Sequence, residues 1–134
     1  MKIVVIDGQG GRMGAAIIQE LILSNVSADI IAVGTNSSAT CAMISARPTA
    51  GATGENAVIV NCRDADYIIG PIGIIVADAL HGEITPAMAT AVGQSRGRKI
   101  LLPSTRCNTR VVGVQEQSLN EYIKLITAQI EKLS

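Results

Sequence analysis

The chain has 134 residues, 48% of them hydrophobic, with a mean hydropathy of +0.37. This is enough for one domain with a real core but too little for a cofactor domain and a separate substrate domain. Eleven basic residues balance eleven acidic ones, and there is no Trp or Phe. The lack of a basic stripe with stacking aromatics argues against nucleic acid as a partner.

Ile3 to Ile6 is an apolar run of strand length, and Arg12 to Leu23 places Met13, Ile17 and Leu21 on one helical face. Between them, residues 8–14 hold four glycines, Gly8, Gly10, Gly11 and Gly14. Asp29 to Gly34 repeats the strand pattern, and a serine of the Ser37-Ser38 pair can cap a helix through about Ala46. This β-α-β-α alternation predicts a parallel sheet. Pro48 breaks the second helix, Thr49 to Gly54 leaves room only for a short strand or an extended turn, and a helix is expected from Glu55 to about Cys62.

Tyr67 to Gly70 reads as a buried strand, with Pro71 opening an apolar helix through Leu80. Thr85-Pro86 has the form of an N-cap followed by proline at the first helical position, so a helix should run from Pro86 to about Val92. Lys99 to Pro103 is a further strand, and Val111 to Val114 is a candidate for a last one. Ser118 can cap the final helix, whose Leu119, Tyr122, Ile123, Ile126, Ile130 and Leu133 form one apolar stripe. The expected fold is a single Rossmann-like α/β domain of three layers, with a mostly parallel sheet of five or six strands.

No apolar run reaches membrane-span length, and the sequence opens on a strand rather than a signal segment, so a cytoplasmic protein is expected. Cys41, Cys62 and Cys107 are odd in number and far apart, which predicts thiols and no structural metal site.

In such a sheet, ligands sit beyond the carboxyl ends of the strands. The glycine turn follows a buried strand and precedes a helix, the context a phosphate-binding turn requires. Its spacing is the looser G-x-G-x-x-x-G, and the Gly-Lys-Ser/Thr ending of a P-loop is missing. Gly8, Gln9, Gly10, Gly11, Arg12, Met13 and Gly14 are therefore candidates for cofactor binding, with Gly70 and Pro71 after the fourth strand. The end of the second strand carries Thr35 and Asn36 where the usual NAD site has an acid. Hydroxyl and amide groups suit a 2′-phosphate, which favours NADP over NAD. Asp7, at the mouth of the turn, would repel a phosphate unless it paired with a cation or bound a metal, or would instead cap nearby backbone N–H groups.

Thr53, Glu55, Asn56, Arg106 and Asn108 are candidate substrate contacts, although turn residues are polar in any case. For catalysis, Cys107 beside Arg106 could act as a thiolate nucleophile. His81, the single histidine, could be its base, oriented by Asp78 on a shared helix. Glu55 and Glu83 are further general-base candidates.

The stretch Gly10-Gly11-Arg12-Met13-Gly14 resembles the cofactor loop of dihydrodipicolinate reductase. The resemblance, over about the first 25 residues, implies that Gly8, Gly11, Arg12, Met13 and Gly14 line the pyrophosphate of NADH or NADPH. The reductase's catalytic motif has no counterpart in this chain, so its activity is not implied. A second resemblance spans nearly the whole length, through Asp7-Gly8-Gln9-Gly10-Gly11, Ala32-Val33-Gly34-Thr35-Asn36, Gly51-Ala52-Thr53-Gly54-Glu55-Asn56, Gly70-Pro71-Ile72-Gly73-Ile74, the stretch Gly82 to Ala89, and Arg106-Cys107-Asn108. These motifs look like a family of small bacterial proteins known as a domain of unknown function, which implies a Rossmann-like fold.

Two functions stand side by side. One is a small dinucleotide- or nucleotide-binding protein using NADP or NAD, as sensor or minimal oxidoreductase. The other is a hydrolase or transferase acting on a phosphorylated metabolite through Cys107 and His81, with a non-catalytic assembly subunit as a third possibility. The stripe on the last helix makes a homodimer the expected assembly, since a domain this small encloses a substrate poorly.

Overall fold

The computed structural model describes residues 1–104 and 108–133, with side chains to residue 130. Five strands, β1 (Lys2–Asp7), β2 (Asp29–Gly34), β3 (Ala50–Thr53), β4 (Tyr67–Pro71) and β5 (Arg98–Leu102), form one sheet in the order β3-β2-β1-β4-β5. Every pairing is parallel, with Val5 between Ala32 on one side and Ile69 on the other. The helices are α1 (Arg12–Leu23), α2 (Ser37–Ile44), α3 (Glu55–Cys62), α4 (Pro86–Gln94) and α5 (Leu119–Leu133).

The central strands are apolar on both faces because both faces are covered. Ile3 and Val5 point towards α1, α2 and α5, where they pack with Ile17, Leu21, Met43 and Ile126. Val4 and Ile6 point the other way, to Val58, Ile84, Met88 and Val92 on the α3 and α4 side. Alternation along a strand sends successive residues to opposite faces, so a continuous apolar run is what a three-layer arrangement needs. No described helix is long and apolar enough to cross a membrane.

Helix ends follow local chemistry. Thr85 caps α4 by accepting from the Met88 N–H, with Pro86 at the first helical turn. Ser118 and Glu121 form a reciprocal capping box on α5: the Ser118 hydroxyl accepts from the Glu121 N–H, and the Glu121 carboxylate accepts from the Ser118 N–H. The α2 cap is Asn36, whose Oδ1 accepts from the Ala39 N–H, rather than one of the serines after it.

Two further sequence expectations are corrected. Pro71 ends β4 instead of opening a helix to Leu80; only a 3-10 turn, Ile72–Ile75, follows it. The chain then folds into tight turns in which Asp78, Leu80 and His81 all have positive φ, near 60°. Gly82 and an Ala79–Ile84 backbone pairing close that loop, so local hydrogen bonds replace helical continuation. Val111 to Val114 is likewise not a strand but an exposed turn, closed by the Val114 N–H on the Val111 carbonyl.

Candidate functional site

Because all five strands run parallel, their carboxyl ends share one edge of the sheet. Strand order reverses between β1 and β4: β2 and β3 extend to one side, β4 and β5 to the other. This switch point opens a crevice at the end of β1, and the glycine turn lies in it.

The turn is built around Asp7. Its buried carboxylate accepts from the Gly8 N–H through Oδ1 at 2.8 Å and from the Gly14 N–H through Oδ2 at 2.7 Å. It thus ties the entry of the turn to the first turn of α1 and caps that helix in place of a side chain at the N-cap, Gly11. Burial raises the Asp7 pKa, the hydrogen bonds from Gly14 and Gly8 oppose the rise, and the charge of Glu83 adds to it. Of the two roles open to Asp7 from sequence, the structure gives it the backbone cap.

The four glycines are not equivalent. A Cβ at Gly8 would meet Thr35 Oγ1 at 2.7 Å and Leu80 Cδ1 at 2.8 Å, and one at Gly14 would meet Met43 and the Asp7 Cβ. Gly11 has φ +72° and lies against the Ala39 backbone. Side-chain packing therefore favours glycine at positions 8 and 14, and conformation with backbone packing requires it at position 11. At Gly10 a Cβ would touch nothing within 4 Å, and its φ is not in the left-handed region. The residue is exposed, and the fold does not require it to be glycine.

Beside Gly10, the N–H groups of Arg12 and Met13, at the start of α1, have no acceptor among the described residues, nor has that of Gly10. The Arg12 side chain is exposed and forms no ion pair among them. A helix N-terminus with unsatisfied N–H groups and a cation beside it is a favourable place for an anion.

A cavity of about 530 Å³ opens from this turn toward β4 and β5. Its walls are Gly8 to Met13, Pro71, Leu80, Pro103 and Ser104, and on the far side Glu116, Gln117, Leu119 and Tyr122. Tyr122 holds that far wall: its hydroxyl donates to the Gln115 carbonyl at 2.8 Å and accepts from the Gln117 N–H at 3.1 Å. In the sequence Tyr122 reads only as part of an apolar stripe, and nothing local signals that it meets the glycine turn.

Several expected contacts lie elsewhere. Gly14 and Gly70 are buried behind the cavity wall; a Cβ at Gly70 would run into the Ile6 carbonyl oxygen. Thr53 pairs its hydroxyl with that of Thr40, and Glu55 accepts from the Thr85 hydroxyl, both away from this cavity. Asn56 is exposed on the first turn of α3.

Thr35 and Asn36, at the end of β2, are engaged by a residue from another segment. Glu83 Oε1 accepts from Thr35 Oγ1 at 2.7 Å, Asn36 Nδ2 at 2.6 Å and the Gln9 N–H at 3.0 Å. Asn36 Nδ2 also donates to the Gln9 carbonyl. Burial is the largest single influence on the Glu83 pKa and raises it. The hydrogen bonds from Gln9, Thr35 and Asn36, with the nearby His81, outweigh burial and leave the pKa below the ordinary glutamate value.

His81 is exposed in the turn after Leu80, and the helix that would have aligned Asp78 with it is absent. It lines a second depression of about 600 Å³ together with Asn108 and Gln9. Arg106 and Cys107 lie outside the described residues. No group of three or more His, Cys, Asp or Glu side chains able to hold a metal occurs among the described residues.

The model of a domain of unknown function, DUF3842, matches residues 2–134. The chain belongs to this family. A comparison with curated proteins finds no match. Among solved structures, the chain is similar to a dodecameric FMN-dependent UbiX-like decarboxylase from Escherichia coli O157:H7. The identity is 18% and the TM-score 0.46, over 98% of this chain and 76% of that one.

Proposed function

We propose that this protein binds a small phosphorylated or nucleotide ligand, seating a phosphate on the N–H groups of Gly10, Arg12 and Met13 with the Arg12 guanidinium as counter-charge. Part of the ligand beyond the phosphate occupies the cavity toward Pro71, Ser104 and Tyr122. The observation that carries this reading is Gly10: it is the one glycine of the turn that the fold leaves unexplained, and it stands beside unsatisfied N–H groups. Lacking a Cβ there lets a ligand approach the backbone. NADP or NAD, with a role as sensor or minimal oxidoreductase, is the dinucleotide form of the reading, and a homodimer is its expected assembly.

Thermal unfolding with NADP, NAD, FMN, ATP and sugar phosphates tests it. A ligand present at about 100 times its Kd stabilises the folded state by roughly 2.7 kcal/mol. Gly10→Val should keep the melting temperature of the free protein and lose that response, and Arg12→Ala should weaken it. No response to any of these compounds, or a full response in Gly10→Val, overturns the reading.

The cavity wall shared by His81 and Asn108 favours a second reading. Here Cys107, the sequence neighbour of Asn108, is a nucleophile and His81 its base, with Arg106 and Asn108 holding a phosphorylated substrate. Iodoacetamide labelling has internal references in the other two cysteines. Cys41 is exposed, and Cys62 is buried with its thiol pushed up to about 11, so Cys41 should label and Cys62 should not. Labelling of Cys107 faster than Cys41 at neutral pH, slowed by His81→Ala, is the expected result; a rate no faster than Cys41 overturns this reading.

A further inference from the structure

The end of β2 has no acid of its own, yet a carboxylate stands there. Glu83 reaches it from the loop before α4, and donors from the glycine turn, the β2 end and the α2 cap all converge on Oε1. Three hydrogen bonds to one oxygen leave the side chain little freedom to turn. Oε2 has no partner among the described residues. No buried side-chain oxygen or nitrogen among them is without one, so Oε2 reaches solvent. The group stays ionised at neutral pH, consistent with its lowered pKa.

An ionised carboxylate oxygen only accepts hydrogen bonds. Anchored through Oε1 on the N–H of Gln9, the residue before Gly10, it can take hydroxyl hydrogens and repels a second anion. We infer that Glu83 Oε2 accepts the vicinal hydroxyls of a ribosyl group whose phosphate lies on the glycine turn, and discriminates against a second phosphate on that ribose. The inference rests on the phosphate seat proposed above. Glu83 then does from a distant segment what an acid at the end of β2 does in other dinucleotide folds. Thr35 and Asn36, which would have been the natural partners of a 2′-phosphate, donate to Glu83 instead, so NAD suits the site better than NADP.

Titration calorimetry of the full chain with AMP, 2′,3′-dideoxy-AMP, adenosine 2′,5′-bisphosphate and inorganic pyrophosphate tests this. AMP is expected to bind about tenfold or more tightly than the dideoxy and bisphosphate analogues, the size of a charge-assisted hydrogen bond. In Glu83→Gln an amide oxygen can keep the place of Oε1 while an NH₂ replaces Oε2. Both preferences should then collapse, with the bisphosphate gaining affinity. Equal wild-type affinities for the three nucleotides overturn the Glu83 assignment and leave the phosphate seat intact, since all three carry a 5′-phosphate. Binding of pyrophosphate but of no nucleotide has the same meaning, and binding of none of the four overturns both. The wild-type comparison holds whether or not the variant folds.

Discussion

Replacing Gly11 with alanine is expected to destabilise the fold by about 3 kcal/mol, from left-handed backbone strain plus overpacking. Its φ of +72° disfavours any Cβ, and the added atom would lie 2.6 Å from the Ala39 carbonyl oxygen and 2.8 Å from the Ala39 Cα. These are backbone atoms inside α2, so they cannot swing aside as the end of a side chain can. Relief requires α1 and α2 to separate, which loosens Met43 and Ile17 on the same face. Urea denaturation should show a lower midpoint for Gly11→Ala, whereas Gly10→Ala, whose Cβ enters open space, should be within about 0.5 kcal/mol of the parent protein. Equal losses at the two positions would mean that the turn has another geometry.

Asp7→Ala is expected to lower stability by about 2–4 kcal/mol, because the buried Gly8 and Gly14 N–H groups lose their acceptors together. A fall of roughly 10 °C in melting temperature would correspond. The pH dependence carries a separate signature. Since the folded-state pKa of Asp7 is raised, chiefly by burial, its contribution is fully present below the ordinary Asp value and declines as the pH rises through the raised one. Glu83 has the opposite sign: its pKa is lowered, so its contribution is present above the ordinary Glu value and is lost as the pH falls through the folded one. Subtracting the stability–pH curve of Asp7→Asn from that of the parent protein isolates the first effect. A difference that grows with rising pH across the acid range would contradict the assignment of the Asp7 shift.

Asp7 and Glu83 also show how unevenly the site was readable. A carboxylate at the mouth of a glycine turn is visible in the sequence, and so are its two alternative roles. The choice between them depends on whether the Gly14 N–H lies within reach of Oδ2, which is a matter of how α1 leaves the turn. Glu83 could be read from sequence only as one acid among several near His81. Its position beside Thr35 and Asn36 follows from the turns at Asp78, Leu80 and His81, whose positive φ values have no local sequence signal beyond Gly82. Apolar content in Ile72 to Leu80 looks helical because periodicity alone does not separate a buried loop from a buried helix.

What the sequence by itself determined is the layered fold and the location of the crevice. Apolar strand runs alternating with capped helices admit a parallel sheet covered on both faces, and parallel strands necessarily bring Asp7, Gly34, Thr53, Gly70 and Leu102 to one edge. Those signals are local: strand length, proline, caps and period. Only the tertiary structure decided which glycines of the turn serve packing and which one stands open, that Tyr122 from the last helix walls the cavity, and that a carboxylate from the loop before α4 stands at the end of β2. Each of these joins segments far apart in the chain, and contacts of that kind are set by how the layers pack, which no window of sequence contains.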